Sequence, residues 1–549
     1  MLKGLVRARL CEALARLGFA EVEIEPEVSP SERPEHGDFS SNVAFSLKER
    51  LGLAPQEAAR ALLSRLDREP FTKVEAAGPG FLNFFLKPET IQGALRAVLT
   101  AGAGYGSSGL GRGKRVQVEF GSANPTGPLH LGFGRNVVLG DALANLLEAI
   151  GYEVEREYYV NDLGTQVENF ARSLLYYYAE ALGEEPPFPF PEGGYRGEYV
   201  REWADELART HPDLLRLPLE EALLEIKRLG VERVLKAVRE DLELLGIHYD
   251  CWFFEHELYG DPSPFSRVME LLKPFLKEEG GAVWFKATEF DCDKDEVLIR
   301  SDGRPGYFAS DVAYHYNKFI ERGFDWVIDV WGADHQGHVP RMLAMMRALG
   351  LNPERLTLLI YQLVTLKRGG EEVRLSKRTG ELITLRELID EVGSDAVRYF
   401  LLSRSPDTHL EFDLALAKEQ SKENPVFYIQ YAHTRIAGIF RELGGELDDR
   451  DWDWEGIDLG PLREPEELEL IKRLDEFPEI LQDAALNFTP HLLANYAYKL
   501  AGLFHIFYDR YRVLGSGESE APRLALCRGV QIVLRRALEI MGISAPERM

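Results

Sequence analysis

A strand, a glycine- and proline-rich loop and a helix follow one another in this chain, and their succession restricts the fold more than any other feature. The segment "RVQVEF" (115–120) alternates polar and apolar residues as a half-buried strand does. The segment "NVVLGDALANLLEAIG" (136–151) repeats apolar residues at helical spacing. Between them, "NPTGPLHLGFGR" (124–135) contains two prolines, three glycines and one histidine. Such a loop brings backbone N–H groups at a helix start close to an anion, which predicts a phosphate-binding position.

The alternation of strands and helices continues to about residue 400, with apolar strands such as "FDWVIDVWG" (324–332). This rhythm predicts a Rossmann-type parallel sheet over 106–405, with an insertion at about 165–300. Residues 1–105 mix helix and strand patterns, which predicts an N-terminal α+β domain. Nearly all periodicity over 406–549 is helical, which predicts an all-α C-terminal domain. We therefore expect a multidomain α/β protein.

Cysteine usage and apolar runs exclude several classes of protein. The four cysteines, Cys11, Cys251, Cys292 and Cys527, form no C-x-x-C pair, so neither a disulfide framework nor a thiolate zinc site is indicated. No apolar run is long enough to span a bilayer. The basic, amphipathic segment 1–19 predicts the first helix of a domain rather than a transit peptide, because no cleavage site follows it. We expect a cytoplasmic monomer that does not bind membranes.

The net charge of −26 argues against a nucleic-acid partner. Total charge is a weak test, however, because only the contacting surface needs to be positive. The segment 364–379 carries a net charge of +3, and the chain from Leu500 onward carries +2. These basic segments permit RNA binding without demonstrating it.

A second loop with a chemical signature, "EEVRLSKRTG" (371–380), lies about 240 residues downstream of the first. It separates the apolar strand "TLLIYQLVTL" from a helical run, and its Ser376, Lys377 and Arg378 can close over a triphosphate as a cationic clamp. Taken singly, such a tripeptide is more often a solvated turn, and a loop histidine such as His130 is more often a surface residue.

Together, the two loops resemble the two signature motifs of the class I aminoacyl-tRNA synthetases. "HLGF" (130–133) stands in the place of H-x-G-H, and "RLSKR" (374–378) stands in that of K-M-S-K-S. Further segments resemble the arginyl-tRNA synthetases in particular and cover the chain from end to end. They are "HGDFSSNVAF" (36–45), "EFGSANPTGPLHLGFGR", "YYVNDLGTQ" (158–166), "YFASDVAYH" (307–315), "WGADHQGHV" (331–339), "GSDAVRYFLLSRSPDTHLEFDLALA" (393–417), "ENPVFYIQYAHTRI" (423–436) and "APERM".

Two residues depart from the signatures. Arg374 replaces the first lysine of the second signature and keeps its charge. Phe133 replaces the second histidine of the first signature, so that hydrogen bond to ATP is either lost or supplied elsewhere. Its ring can pack under the adenine or ribose, or into the core at the helix start.

The resemblance implies an arginine–tRNA ligase, which activates L-arginine with ATP and transfers it to tRNA(Arg) in protein synthesis. It also implies initial attack by the 2′-hydroxyl of the terminal ribose and a need for tRNA during activation. ATP is then a substrate accompanied by Mg²⁺, and neither zinc nor another protein-bound metal is expected. Two alternatives stay open: a slow or repurposed synthetase, and a tRNA-binding synthetase paralogue with weak or no aminoacylation.

The resemblance also implies which residues act on ATP and arginine. His130, Arg374, Ser376 and Lys377 are the expected catalytic residues, and His130, Gly132, Phe133 and Lys377 are the expected ATP-binding residues. Recognition of a guanidinium requires planar, bidentate carboxylate partners. The expected arginine-binding residues are Glu119 and Asp311 for the guanidinium, Ser122 and Asn124 for the α-amino and carboxylate end, Tyr307 as a wall, and Asp334 and His335 as further contacts.

Each of these positions also has a simpler interpretation. Glu119 is typical of a surface carboxylate at a strand end, and Asp311 is typical of a helix N-cap. Asp334, His335 and His338 are metal-ligand types, but a complete ligand set cannot be identified around them, which favours substrate contacts.

By resemblance, the terminal domains bind tRNA. The N-terminal domain is similar to the family's binder of the tRNA elbow, with Asn83 in "GPGFLNF" as a candidate base contact or, equally, a buried turn residue. The helical C-terminal domain is similar to the anticodon binder. Tyr428, Tyr431 and His433 are available there to stack on splayed bases, although aromatic residues at that spacing are more often helix core.

Overall fold

The computed structural model describes residues 1–19, 24–31, 33–260, 262–373, 383–444 and 453–549. Its N-terminal elements are α1 (Leu2–Arg16), β1 (Ser29–Pro30), β2 (Phe39–Ser41), α2 (Val43–Leu51), α3 (Pro55–Arg65), β3 (Phe71–Ala77), β4 (Phe81–Leu86) and α4 (Pro88–Ala101). The strands form an antiparallel sheet in the order β1-β2-β4-β3. This combination of helices and an antiparallel sheet confirms the α+β class predicted for the N-terminal part.

The central part of the chain contains a parallel sheet. Its elements are β5 (Arg115–Glu119), α5 (Leu131–Ala149), β6 (Glu153–Val160), α6 (Thr165–Ala181), α7 (Glu198–Thr210), α8 (Leu219–Leu244), β7 (Cys251–Phe254), α9 (Pro264–Leu272), β8 (Leu276–Glu279), β9 (Ala282–Phe285), β10 (Glu296–Ile299), α10 (Tyr307–Tyr316), β11 (Trp326–Gly332), α11 (Val339–Ala348), β12 (Leu356–Tyr361), β13 (Val364–Arg368), β14 (Glu371–Val373), α12 (Leu385–Val392), α13 (Ser394–Leu402), β15 (Leu410–Asp413) and α14 (Leu414–Lys418). Five of these strands pair in parallel in the order β12-β11-β5-β6-β7, which confirms the Rossmann-type sheet.

Two short strands differ from the sequence-based expectation. β7 lies inside the predicted insertion at about 165–300 but pairs with β6 in the parallel sheet. It divides that segment into a helical excursion, α6 to α8, and a second excursion in which β8, β9 and β10 form an antiparallel sheet. β15 lies beyond residue 405, where helices alone are expected, and pairs in parallel with β13. Strands of four residues carry too little periodicity to be recognised in the sequence.

Helix α5 packs closely on the sheet because a glycine faces it. A Cβ atom at Gly140 would lie 2.1 Å from the Cγ atom of Phe120, a residue that is itself buried at the end of β5. Nearly every residue of α5 is buried. The helix that follows the first signature is therefore packed firmly on the parallel sheet, and its N-terminus is held in a fixed position.

The C-terminal helices pack together and against α4. They are α15 (Pro425–Glu442), α16 (Pro465–Leu486), α17 (His491–Arg510) and α18 (Glu520–Ile540). Pro478 lies inside α16 and cannot donate to the Leu474 carbonyl, which instead accepts the Tyr105 hydroxyl at 3.2 Å. The described residues include no helix long and apolar enough to cross a membrane.

A buried arginine connects the C-terminal helices to the catalytic core. Arg398 in α13 is fully buried and donates to the Met541 carbonyl at 2.6 Å and to the Leu245 carbonyl at 2.9 Å. It also forms an ion pair with Asp141 of α5. Because each N–H of the buried guanidinium needs an acceptor, these bonds fix the end of α18 relative to α5.

Candidate active site

The carboxyl ends of the parallel strands bring together several of the expected site residues. Glu119 ends β5, and Glu255 directly follows β7. Burial first, and then the charges of Glu255, Asp311 and Glu119, raise the pKa of the Tyr159 hydroxyl at the end of β6. This edge is where ligands bind in doubly wound sheets. Glu119, Tyr159, Glu255 and Asp311 therefore lie close enough to act on one another, and we call this group and the space beside it the candidate pocket.

The loop after β5 is held by a small set of hydrogen bonds. Ser122 adopts a left-handed backbone conformation, with φ of 44°. Its Oγ donates to Glu119 Oε1 at 3.0 Å and accepts the Tyr159 N–H at 3.1 Å. Asn136 accepts the Gly121 N–H at 2.5 Å and donates to a carbonyl of β11 at 2.8 Å. The start of the loop is therefore fixed to three neighbouring strands of the sheet.

His130 is the N-cap residue of α5. Its Nδ1 accepts the Gly132 N–H at 3.2 Å. A neutral imidazole that accepts at Nδ1 carries its proton on Nε2 and is a donor there. The dipole of α5 favours an anion at the same end of the helix. The loop therefore combines an imidazole donor with a helix N-terminus at the predicted phosphate position.

The residues that follow the second signature pair with the segment around His130. Three residues of the expected site lie outside the described residues: Arg374, Ser376 and Lys377. The described chain resumes at residue 383, where Thr384 forms an antiparallel bridge with His130. The Leu385 N–H donates to the Leu129 carbonyl at 2.8 Å. The flank of the second signature is therefore paired directly with the first.

Phe133 lies beside the imidazole of His130. The two ring centroids are 4.7 Å apart, and the ring planes are inclined by 58°. The Phe133 side chain is half-buried and packs on the main hydrophobic core. It therefore supports the face of the one imidazole that remains in the signature.

A buried lysine binds the second oxygen of Glu119. Lys318 lies in a π-helical turn and is fully buried. Its Nζ donates to Glu119 Oε2 at 2.6 Å and to Asp329 Oδ1 at 2.8 Å, and lies 4.0 Å from the ring centroid of Tyr314. Glu119, the residue expected to bind a substrate guanidinium, is thus already hydrogen-bonded through both oxygens, to Lys318 and Ser122.

The charges around Lys318 compensate one another. Burial raises the pKa of Glu119, although Lys318 lowers it. Burial also acts on Asp329, but Lys318 and His315 outweigh it and hold the pKa of that carboxyl well below its usual range. The ring nitrogens of His315 lie 2.8 Å from the Asp311 carbonyl oxygen and 2.8 Å from Asp329 Oδ2. The buried ammonium of Lys318 thus bridges and compensates the two carboxylates of Glu119 and Asp329.

Within the described part of the chain, the carboxylates of Asp311 and Glu255 form no ion pair as close as that of Lys318 with Glu119 and Asp329. Burial raises the pKa of both groups. Ser310 Oγ donates to Glu255 Oε1 at 2.5 Å, and Tyr259 is hydrogen-bonded to Ser310 at 2.8 Å. His315, Arg341 and His335 each lower the pKa of Asp311, but burial outweighs them. A cation with several N–H donors is the ligand that would compensate them.

Two residues of the candidate site, Glu255 and Lys318, are absent from the sequence-based expectation. Glu255 follows the strand "CWFF" directly, so recognition of that strand would have placed it at the carboxyl edge of the sheet. Lys318 lies in an apolar helical segment, "YHYNKFI", and nothing near it in the sequence indicates its partners.

Other expected arginine-binding residues lie at more exposed positions. The Tyr307 side chain, at the start of α10, is 86% exposed, and the Arg300 guanidinium lies 4.9 Å from its ring centroid. Asn124 is exposed and donates to an amide oxygen of α6 at 2.8 Å. Asp334 and His335 are exposed in the turn after β11, with nearest oxygen and nitrogen atoms 3.5 Å apart. The structure therefore leaves these four side chains at exposed positions.

A group of possible metal ligands lies on β6 and β7. Side-chain atoms of Glu155, Glu157 and Cys251 lie within 4.8 Å of one another. Arg322 is hydrogen-bonded to both glutamates. Burial, followed by the charge of Glu157, raises the pKa of the Cys251 thiol to about 12. Because the guanidinium already pairs with the glutamates and the thiol stays protonated, this group is not arranged to bind a metal ion.

The expected tRNA-binding residues fall into buried and accessible positions. His433 is fully buried, where its Nδ1 donates to the Pro546 carbonyl at 2.9 Å and its Nε2 accepts from Arg535 at 3.4 Å. Burial lowers the pKa of His433. Asn83 is 4% exposed in β4. Neither side chain is presented to a base on the surface, because the fold packs both inside.

An aromatic surface on α15 and α17 remains accessible. Tyr431 is 38% exposed, and Tyr428 is half-buried. Tyr498 and Tyr508 of α17 are 42% and 37% exposed. The Arg435 guanidinium lies 4.5 Å from the ring centroid of Tyr431 and 4.8 Å from that of Tyr508. Aromatic rings beside a guanidinium form a stacking surface for unpaired bases.

Family models match three consecutive parts of the chain. The model described as "Arginyl tRNA synthetase N terminal domain" matches residues 4–86. The model described as "tRNA synthetases class I (R), catalytic domain" matches residues 94–407, and the "DALR anticodon binding domain" matches residues 429–549.

Individual proteins match the chain over nearly its whole length. An arginine–tRNA ligase from Caldanaerobacter subterraneus subsp. tengcongensis is 46% identical over 100% of this chain and 97% of its own. An arginine–tRNA ligase from Desulforudis audaxviator is 49% identical over 94% of this chain and 92% of its own. The Thermus thermophilus arginyl-tRNA synthetase structure shares the fold, with a TM-score of 0.77 at 24% identity and coverage of 100% of both chains. Given this identity and coverage, and a catalytic-domain match that spans more than half of the sequence, the chain belongs to the arginyl-tRNA synthetases of class I.

Proposed function

We propose that the chain is an arginine–tRNA ligase. It activates L-arginine with ATP to form arginyl-adenylate and pyrophosphate, and then transfers the arginyl group to the terminal ribose of tRNA(Arg). The observation that carries this proposal is the identity of 46% over the whole chain to an arginine–tRNA ligase, and the Asp311 and Glu255 carboxyls at the sheet edge, whose pKa burial raises, agree with it. A guanidinium offers a planar fork of N–H donors that suits paired carboxylates, whereas an ammonium does not.

Within this pocket, Asp311 and Glu255 take the guanidinium. Glu119 positions Ser122 through a hydrogen bond and does not itself bind the guanidinium, because its carboxylate already pairs with Lys318. Ser122 and Asn124 face the α-amino and carboxylate end of the substrate. Tyr307 forms an outer wall, and Asp334 and His335 provide further contacts at the rim.

Adenylate formation requires no protein nucleophile. The arginine carboxylate attacks the α-phosphorus in line, and the bond to the pyrophosphate leaving group breaks. The imidazole of His130 and the N–H groups at the start of α5 hold the phosphates from one side, where Gly132 permits close approach. Arg374, Ser376 and Lys377 close from the other side. Mg²⁺ arrives with ATP and is held mainly by its phosphates.

In the second step, the 2′-hydroxyl of the terminal ribose attacks the arginyl carbonyl carbon and AMP leaves. Tyr428 and Tyr431 stack on anticodon bases, together with Tyr498 and Tyr508. His433 and Asn83 support the binding surfaces from within, because both side chains are buried. We further propose a cytoplasmic monomer with domains at 1–105, at 106–405 with an insertion at about 165–300, and at 406–549, although β15 of the last segment pairs with β13 of the catalytic domain.

Arginine-dependent exchange of pyrophosphate into ATP tests this proposal. We expect exchange with arginine, greatest when tRNA(Arg) is present, and none with lysine. A chain that binds tRNA(Arg) but supports no exchange with arginine would be the non-catalytic paralogue instead.

Lys377→Ala is expected to act on the transition state. Negative charge on the pyrophosphate grows as it departs, so a cation beside it contributes most at that moment. We therefore expect kcat for adenylate formation to fall by about 100-fold or more, with a smaller rise in the KM for ATP. If only the KM for ATP changed, Lys377 would be an anchor for bound ATP.

Phe133→His is expected to fold and to retain adenylate formation. Phe133 is half-buried, so a second imidazole can reach the phosphate or solvent while the start of α5 is unchanged. Measurement of both Tm and pyrophosphate exchange checks this. A large fall in Tm with a proportionate loss of exchange would show that the ring is required for packing, and that an unpartnered imidazole costs about 1–3 kcal/mol there.

A further inference from the structure

The helical excursion between β6 and β7 contacts the first-signature loop from outside. The hydroxyl of Tyr199 in α7 donates to the Thr126 carbonyl at 2.8 Å. From α6, Gln166 accepts the side-chain amide of Asn124 at 2.8 Å. Thr126 is only 9% exposed, so its carbonyl depends on protein partners for hydrogen bonding. Two helices of the excursion thus hold the loop that leads to His130.

A glycine in the loop makes room for this tyrosine. A Cβ atom at Gly127 would lie 2.9 Å from the Tyr199 hydroxyl oxygen and 3.1 Å from its Cζ. The Tyr199 ring packs edge to face on Trp203 of the same helix, with centroids 5.0 Å apart. The hydroxyl is therefore positioned by the helical excursion, and the loop fits around it.

We propose that Tyr199 is a positioning residue for adenylate formation, which fixes the Thr126 carbonyl and thereby the loop between Asn124 and His130. This inference rests on the proposed function. Asn124 and His130 lie on either side of Thr126, so a shift of its carbonyl moves the substrate contact and the phosphate contact together. The active site then depends on the helical excursion as well as on the sheet.

The test compares two tyrosine-to-phenylalanine variants of the full chain. Tyr199→Phe removes the hydroxyl that holds the loop. Tyr178→Phe is the matched control, because the fully buried Tyr178 donates to the His211 carbonyl at 2.5 Å within the same helical excursion and does not contact the loop. We expect Tyr199→Phe to lower kcat for pyrophosphate exchange by about tenfold or more, because misplacement by about 1 Å has effects of that order. Tyr178→Phe should leave kcat within about twofold while lowering Tm comparably.

A variant on the other side of the contact provides a second test. Gly127→Ala pushes against the same hydroxyl and should lower kcat in the same direction. In the double variant with Tyr199→Phe, the two effects should be less than additive, because both break one contact. The inference would be overturned if kcat fell equally in Tyr178→Phe or did not change in Tyr199→Phe. It would also be overturned if the effects of Gly127→Ala and Tyr199→Phe on kcat were fully additive. Absence of exchange in the wild-type chain would instead overturn the proposed function.

Discussion

Lys318→Met is expected to destabilise the catalytic core more than any other substitution considered. The methionine fills the space, but it leaves Glu119 and Asp329 buried without the ammonium that binds both. Loss of one partner from a buried ion pair costs about 3–5 kcal/mol. We expect a clearly lower Tm for the transition of the catalytic part, together with weaker arginine binding because Glu119 no longer fixes Ser122.

Lys277→Met is the control for this substitution. Lys277 also pairs with two carboxylates, Asp295 at 2.9 Å and Glu279 at 3.2 Å, but on the surface, where ion pairs contribute little. We therefore expect its Tm to stay near that of the wild type. In Lys318→Met, the pKa of Glu119 and of Asp329 rises because the ammonium is gone. Protonation of these carboxyls at low pH then favours the folded state of this variant. The Tm of Lys318→Met should therefore come closer to that of the wild type as the pH falls. Equal Tm values for the two variants at neutral pH would contradict a structural role for the buried ammonium.

Asp311→Ala is expected to have the largest effect on arginine binding. The substitution leaves a bound guanidinium paired with Glu255 alone, at a cost of about 2–5 kcal/mol. That corresponds to a rise in the KM for arginine of about 30-fold or more, with little change in the KM for ATP. Steady-state pyrophosphate exchange at varied arginine and ATP measures both constants.

Asp302→Ala provides the comparison for this measurement. Asp302 precedes α10, is exposed and forms an ion pair with Arg304 outside the pocket. Asp302→Ala should leave the KM for arginine and the KM for ATP unchanged. A near wild-type KM for arginine in Asp311→Ala would remove Asp311 from the guanidinium site and transfer its role to Glu255.

The sequence predicts the sheet well where strands are long and apolar. "RVQVEF" becomes β5 at the centre of the parallel sheet, and "FDWVIDVWG" becomes β11 beside it. β7 and β15 escape prediction because four residues are too few for a period to show. Their places in a sheet depend on partners that are distant in the chain, β6 and β13.

The loops of the candidate site can be predicted from the sequence, whereas the side-chain contacts within the site cannot. The glycine- and proline-rich loop at His130 is visible in the sequence, because its chemistry requires those residue types locally. The pairing of Glu119 with Lys318 joins residues 199 positions apart and follows only from packing. His433 lies two residues beyond Tyr431 in α15, so the two side chains point to different sides of the helix. Composition alone does not say which side is buried.

Charging of tRNA(Arg) with radiolabelled amino acids is the most direct test of the central claim. We expect ATP-dependent attachment of arginine to the 3′ end, initially on the 2′-hydroxyl, and no appreciable attachment of lysine. A wild-type chain that binds tRNA(Arg) and ATP but attaches no arginine, or attaches lysine as readily, would contradict it.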